Sequence, residues 1–143
     1  MRIEQFYGVP KEALTVRITV FVEEQGFVDE IDEIDNTATH FVLFSEDEQP
    51  IATCRVFSAD GGDDYILGRL CVLKAHRGNG YGSLLIERAE QHVLAVGGSS
   101  LRLHSQYHAA SFYEKLGYIV CGEVENEQGK PHIWMKKHIK GAV

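Results

Sequence analysis

The segment Arg77-Gly78-Asn79-Gly80-Tyr81-Gly82 restricts the fold of this chain more than any other. Its three alternating glycines stand between an apolar strand pattern, Tyr65 to Leu73, and a run in which Leu85, Ala89, Val93 and Val96 recur at helical spacing. A backbone free of side chains can bend sharply there and come close to a ligand. The helix that opens after it offers unpaired N–H groups and the positive end of its dipole, which suit phosphate. Arg77 adds a charged donor beside them. The bland alternative is a plain strand-to-helix turn. A Walker loop would need Gly-Lys-Ser/Thr, which is absent. The dinucleotide fingerprint Gly-x-Gly-x-x-Gly is one residue longer than the spacing found, and it belongs in a first βαβ unit, whereas this loop lies past the middle of the chain.

The surrounding pattern supplies a sheet for that loop. Arg2 to Tyr7 alternates as a half-buried strand does, Gly8-Val9-Pro10 breaks it, and from Lys11 the residues Leu14, Ile18, Phe21 and Val22 recur at helical spacing. His40 to Phe44 and Ile51 to Phe57 read as an antiparallel hairpin around a polar turn. Beyond the long helix, which Gly97-Gly98 ends, Leu101 and Leu103 mark a strand. His108 to Leu116 reads as a helix with Ala109, Phe112 and Leu116 on one face. Tyr118 to Val124 and His132 to Lys136 make a last hairpin around Asn126-Glu127-Gln128-Gly129, with Pro131 at an edge. The expected class is a mixed α/β or α+β sheet with helices packed on it.

At 143 residues the chain fits one domain, 1–143. Its net charge of -7 argues against a nucleic-acid backbone or an anionic membrane surface as the main partner. The N-terminus lacks the apolar stretch of a secretory signal, and no run approaches the length of a membrane helix, so a cytoplasmic location is expected. Cys54, Cys71 and Cys121 match no metal or redox spacing and read as buried thiols. Lys136-Lys137-His138-Ile139-Lys140 reads as a solvated end. The acids Glu23, Glu24, Asp29, Glu30, Asp32, Glu33 and Asp35 form a stretch that no Lys or Arg interrupts, readable as a solvated acidic loop.

The loop and its neighbours resemble the GNAT superfamily of N-acetyltransferases. Arg77-Gly78-Asn79-Gly80-Tyr81-Gly82 is similar to that family's Arg/Gln-x-x-Gly-x-Gly/Ala signature, and Arg69-Leu70-Cys71-Val72-Leu73 is similar to its central strand. Ala110-Ser111-Phe112-Tyr113-Glu114-Lys115-Leu116-Gly117-Tyr118 is similar to its later Phe-Tyr-x-x-x-Gly-Phe helix. Val20-Phe21-Val22-Glu23-Glu24-Gln25 and Pro131-His132-Ile133-Trp134-Met135 resemble a small bacterial branch whose substrates are unassigned. The resemblance implies a GNAT-like, mostly antiparallel twisted sheet with helices on both faces. It also implies acetyl transfer from acetyl-CoA, as cosubstrate, to a primary amine, and homodimers are common in the family.

The resemblance puts the pyrophosphate on Arg77, Gly78, Asn79, Gly80, Tyr81 and Gly82, and the pantetheine arm along Leu70, Cys71 and Val72. An extended amide-bearing arm can add to a strand edge that lacks a neighbour, and the Val72 N–H can then hold the thioester oxygen as it becomes an oxyanion. Tyr113 matches the family's usual acid, which protonates the departing thiolate; the other use of Tyr113 is as a packed aromatic, although Phe112 continues the apolar stripe better. Ser111 and Lys115 flank the same helix, and Lys115 either reaches a CoA phosphate or stays solvated. The base is open among Glu24, His40, His104 and His132. His104 and Gln106 share a strand face opposite Leu101 and Leu103 and touch substrate if that face lines the cleft. No metal is expected, because His104 and His108 find no third ligand by spacing. In this family the segment after the first helix helps wall the acceptor site, so the acidic stretch would favour a cationic acceptor. Arg17 either pairs with one of its acids or binds an anionic acceptor group. Two readings compete with an enzyme: a non-catalytic acyl-CoA-binding module on the same fold, and a nucleotide-binding domain.

Overall fold

The computed structural model describes residues 1–28 and 30–139. Asp29 of the acidic stretch and Lys140 of the basic end lie outside the described residues. Two compact units make up the chain: Met1–Phe57 with Gly68–Ala89, and Ser58–Leu67 with the segment from Glu90 onward.

In the first unit, strand β1 (Arg2–Tyr7) runs antiparallel to β2 (Thr39–Phe44), and β2 antiparallel to β3 (Pro50–Ser58). Next to β3 comes β4 (Asp64–Val72), of which Gly68–Val72 belongs to this unit. Helix α1 (Lys11–Arg17) continues without a break into a π-helical segment, Ile18–Glu24. Every residue of β2 is buried, because helices cover both of its faces. Val42 and Phe44 pack with Ala13 of α1, while Phe41, on the alternate face, lies under the guanidinium of Arg88 from helix α2 (Tyr81–Ala95). The buried stripe of the first helical segment is Ala13, Val16, Arg17 and Val20, not the expected Leu14, Ile18, Phe21 and Val22. Ile18 and Val22 stay exposed, because the sheet they would cover meets the helix one residue around.

In the second unit, Asp64–Leu67 of β4 pairs in parallel with β5 (Ser100–Gln106). Strand β8 (Lys130–His138) runs antiparallel to β5 and also to the short β6 (Ile119–Val120) and β7 (Glu125–Glu127). Helix α3 (Ala110–Lys115) follows a single 3-10 turn, Tyr107–Ala109. Two local expectations change here. The expected stripe Ala109, Phe112, Leu116 is not what packs, since Phe112 is exposed while Tyr113 and Leu116 are half-buried. The expected long strand from Tyr118 is cut short: β6 ends at Val120, the Cys121 amide makes one more bond to the Trp134 carbonyl at 2.9 Å, and residues 122–124 leave the ladder before β7. Lys136 and Lys137 are strand residues of β8 paired with Asp64 and Glu90, so the basic end is built into the sheet.

The mixed architecture, its mostly antiparallel pairing and the helices on both faces of β2 agree with the expected class. Cys54 and Cys71 are buried as expected; Cys121 is exposed. Among the described residues no helix is long and apolar enough to cross a membrane.

Candidate active site

The glycine loop has the local geometry its sequence calls for. A 3-10 turn, Lys74–His76, leaves β4, and the chain then passes through Gly78 (φ +82°) and Gly80 (φ +80°). Both angles lie in the left-handed region that side chains disfavour. A Cβ at either position would meet no atom within 4 Å, so it is the backbone angle that selects glycine there. The amide of Leu84 bonds the carbonyl of Gly80 at 3.1 Å as α2 begins. The amides of Tyr81, Gly82 and Ser83, earlier in that turn, have no helical partner to reach. Asn79 ties the loop to itself by donating Nδ2 to the carbonyls of His76 (3.1 Å) and Arg77 (3.4 Å).

Arg77 is held from two sides. Its Nε donates to the carbonyl of Val72 at 2.9 Å, and its two terminal nitrogens each meet one oxygen of Glu24 at 2.7 Å. The π-helical segment carries Glu24 to that point. The hydrogen bond to Arg77 and its charge hold the Glu24 carboxyl below its ordinary range. Glu24 is therefore a poor base, and its expected acceptor-side role gives way to pairing with Arg77 of the glycine loop.

Leu70, Cys71 and Val72 end β4 beyond the part that pairs with β5, whose register stops at Leu67–Leu103. Cys71 packs with Val16 and Val20, and burial pushes its thiol up, so it is inert as a nucleophile. Arg69 sits at φ +53°, a costly conformation for a side-chain-bearing residue. Its guanidinium is anchored on the Glu30 carbonyl at 3.1 Å and on the carboxylate of Glu30 at 3.1 Å.

Part of the acidic stretch is built into the fold: Glu23 and Glu33 are exposed, but Glu30 and Asp35 are buried and, with Asp32, paired with arginines. Arg17, 1% exposed, donates to Glu30 at 2.8 Å and to both oxygens of Asp35 at 2.7 and 3.0 Å. Arg55 of β3 bridges Asp35 at 2.8 Å and Asp32 at 2.6 and 2.9 Å. Asp35 belongs to a 3-10 turn, Glu33–Asn36, and its carboxylate also accepts the Asp32 amide at 3.1 Å. Burial pushes the Asp35 carboxyl up; hydrogen bonds from Arg17, Asp32 and Arg55, with the arginine charges, outweigh it and hold the group well below the usual carboxylate range. Three arginines, Arg17, Arg55 and Arg69, thus neutralise Glu30, Asp32 and Asp35. Of the two uses open to Arg17, the structure selects pairing with acids, so it is not an acceptor-binding residue. His40 is fully buried under this network, with Nε2 on the Asp35 carbonyl at 3.1 Å, and burial lowers its pKa. It faces no open surface, and its candidacy as a base falls with that.

The remaining candidates lie in the second unit. Tyr113 on α3 touches Phe112 and Tyr118 edge-on, at 5.0 and 6.1 Å between ring centres, while Ser111 and Lys115 are exposed. The expected strand face holds: Leu101, Leu103 and Ser105 are buried, and Arg102, His104 and Gln106 point to the other side. Cross-strand pairing adds Trp134 and His132 to that face. His104 stacks on Trp134 at 4.7 Å and reaches Glu127 at 3.2 Å; His108 turns instead to Gln106 at 2.8 Å. Glu127 also lies 3.4 Å from His132. By sequence alone Glu127 belongs to the turn of the last hairpin. Strand alternation held the signal, since Glu125 and Glu127 fall on one face of a strand whose partner carries His132.

Residues 10–139 match the family model described as an acetyltransferase (GNAT) domain. The chain is 38% identical over 130 residues to the uncharacterized N-acetyltransferase YjcF of Bacillus subtilis, covering 89% of this chain and 91% of that protein. Among solved structures it superposes on an acyl-CoA N-acyltransferase from Pseudomonas aeruginosa with a TM-score of 0.83 at 25% identity, over 95% of this chain and 98% of that one. An aminoglycoside 6'-N-acetyltransferase complexed with coenzyme A shares the fold at a TM-score of 0.79 and 20% identity, over 100% of this chain and 99% of that one.

Proposed function

This chain belongs to the GNAT acetyltransferases, and on that footing we propose that it transfers an acetyl group from acetyl-CoA to a primary amine by direct attack. The observation that carries the reading is the Arg77–Gly82 loop opening α2, with its left-handed glycines and unpartnered first-turn amides. In this reading that loop binds the pyrophosphate, with Arg77 exchanging Glu24 for phosphate oxygens. The backbone of Leu70, Cys71 and Val72 takes the pantetheine amides, and the Val72 N–H receives the developing oxyanion. Tyr113 protonates the departing thiolate. Ser111 and Lys115 border the cosubstrate. The whole chain acts as one catalytic domain.

The acceptor is an amine that arrives as an ammonium and must lose a proton. The acidic stretch gives a cationic acceptor little help, because Glu24, Glu30, Asp32 and Asp35 are each already paired with an arginine. The acceptor-facing groups in this reading are His104, Gln106 and His132. The test is acetyl-CoA binding by calorimetry, followed by acetyl-CoA with spermidine, glucosamine, kanamycin and a lysine-containing peptide, products read by mass spectrometry. An acetylated product is expected. Tight acetyl-CoA binding with no product from any amine supports instead a non-catalytic acyl-CoA-binding module.

A further inference from the structure

Asn79 and Gly80 are the one Asn-Gly pair of the sequence, and they sit inside the glycine loop. The other asparagines, Asn36 and Asn126, are followed by Thr37 and Glu127. Before a glycine, the next backbone nitrogen most readily attacks the asparagine side-chain amide, because no Cβ shields that nitrogen. The structure adds three observations at this pair. Both residues are exposed. A Cβ at Gly80 would meet no atom within 4 Å, so the space around it is open. The Gly80 amide makes no backbone hydrogen bond among the described residues, although its carbonyl accepts from Leu84. Asn36 and Asn126, by contrast, stand in a 3-10 turn and in strand β7. Two hydrogen bonds hold the Asn79 side chain, from Nδ2 to the carbonyls of His76 at 3.1 Å and Arg77 at 3.4 Å. Both stay within one short stretch of chain, so local motion of the loop is enough to break them.

We propose that Asn79 is a deamidation site, and that its conversion disables the cosubstrate loop of a chain left without ligand. The site itself stands on the loop alone; the effect on cosubstrate rests on the acetyltransferase reading. The Gly80 N–H gives its proton to solvent and the nitrogen attacks Cγ of Asn79. The new C–N bond closes a five-membered succinimide, the Cγ–Nδ2 bond breaks, and ammonia leaves with a proton from solvent. Water then opens the ring at either carbonyl, leaving an aspartate or an isoaspartate at position 79. Either product replaces two donated hydrogens by a carboxylate beside the carbonyl oxygens of His76 and Arg77. It is repelled there and drawn to the first-turn amides of α2, the groups that a pyrophosphate needs. The isoaspartate also adds a CH2 to the main chain between Gly78 and Gly80, so the two left-handed glycines lose their spacing. A bound pyrophosphate engages the loop amides and takes the nucleophile out of use. Cosubstrate therefore protects the loop, and its absence exposes it.

The test incubates the full chain in mildly alkaline buffer with and without acetyl-CoA. Digestion and mass spectrometry then follow the mass gain that marks loss of ammonia and uptake of water, with aspartate and isoaspartate peptides separated by chromatography. Residue 79 should convert while Asn36 and Asn126 stay intact, and acetyl-CoA should slow the conversion. Binding capacity for acetyl-CoA, read by calorimetry, should fall in step with the converted fraction. Asn79→Asp should raise the acetyl-CoA Kd about tenfold without lowering Tm, since a carboxylate opposes phosphate but suits the start of a helix. Asn79→Gln must close a six-membered ring, a slower step, so it should keep its own initial affinity through the incubation. Conversion at residue 79 no faster than at Asn126 would overturn the site. Full conversion with acetyl-CoA affinity unchanged would overturn its effect on the loop. If the fresh chain binds no acetyl-CoA, the cosubstrate reading falls by itself, while the mass spectra still decide the deamidation site.

Discussion

Tyr113 and Phe112 exchange the positions that apolar spacing gives them. The purely apolar ring points outward, and the phenol is half-buried against Tyr118, whose own hydroxyl donates to Glu90 at 2.9 Å. A phenol set in place by neighbouring rings keeps a defined direction, which a proton donor needs. Tyr113→Phe is expected to lower kcat by about 10²-fold while leaving the acetyl-CoA dissociation constant in place, as read by steady-state kinetics and calorimetry. Glu24 makes a second residue-level prediction. Its bidentate hold on Arg77 competes with any phosphate for the same guanidinium. Glu24→Gln should therefore tighten acetyl-CoA binding in low salt. Arg77→Ala should weaken it, and unchanged affinity in both variants would remove the guanidinium from the cosubstrate site.

At the level of elements, the buried ion network ties α1, the 3-10 turn, β3 and β4 together. Breaking a buried pair by removing one partner strands a charge, at about 3–5 kcal/mol. Asp35→Asn is expected to cost that order of stability in urea denaturation, since Arg17 and Arg55 lose a shared carboxylate. The pH dependence follows from the direction of the shift. The folded pKa of Asp35 is depressed, so its contribution is complete above the ordinary carboxylate pKa of about 3.9 and is lost as pH falls below it. His40 acts in the same direction at higher pH: buried neutral, it resists protonation, so stability begins to fall as pH drops through about 6.5. Acid denaturation curves for the wild type and His40→Gln should differ in that upper window.

The same elements show what sequence alone makes legible. β1, the β2–β3 hairpin, the glycine loop and α2 follow from local alternation, helical spacing and turn chemistry, and they stand close to where those signals put them. The π-helical segment does not, because apolar spacing over so short a run fits a π turn as well as an α turn. Nor does the fate of the acidic stretch. No base lies within it, and the arginines that neutralise it come from α1, β3 and β4, which only the folded sheet brings together. Glu127 was hidden for the same reason: its partners stand on two other strands.

For the molecule as a whole, the net charge of -7 loses its apparent focus. Of the carboxylates that seemed to concentrate it, Glu24, Glu30, Asp32 and Asp35 are matched by arginines, while Glu23 and Glu33 stay exposed, so little of that charge is left to attract a cation. A ligand that binds only the folded form raises stability by about 2.7 kcal/mol at a hundred times its dissociation constant. For a chain of this length that corresponds to a rise in Tm of roughly 5–10 °C. Acetyl-CoA should produce that rise in a thermal scan; ATP and NAD should not, and a shift with either nucleotide alone would favour the nucleotide-binding reading.

The arginine–carboxylate network also constrains how this sequence can change. Asp35 is bonded to Arg17 and Arg55 at once, and Asp32 to Arg55 and Arg69. Groups so connected are not independent letters. Substituting one leaves its partners charged and enclosed, whereas replacing a pair together by apolar residues of similar volume removes the stranded charge along with its cause. Single steps away from this arrangement descend before they climb. A descendant that abandons the network must lose both members of a pair together, and a double-mutant cycle on Arg55 and Asp35 would measure the height of that barrier.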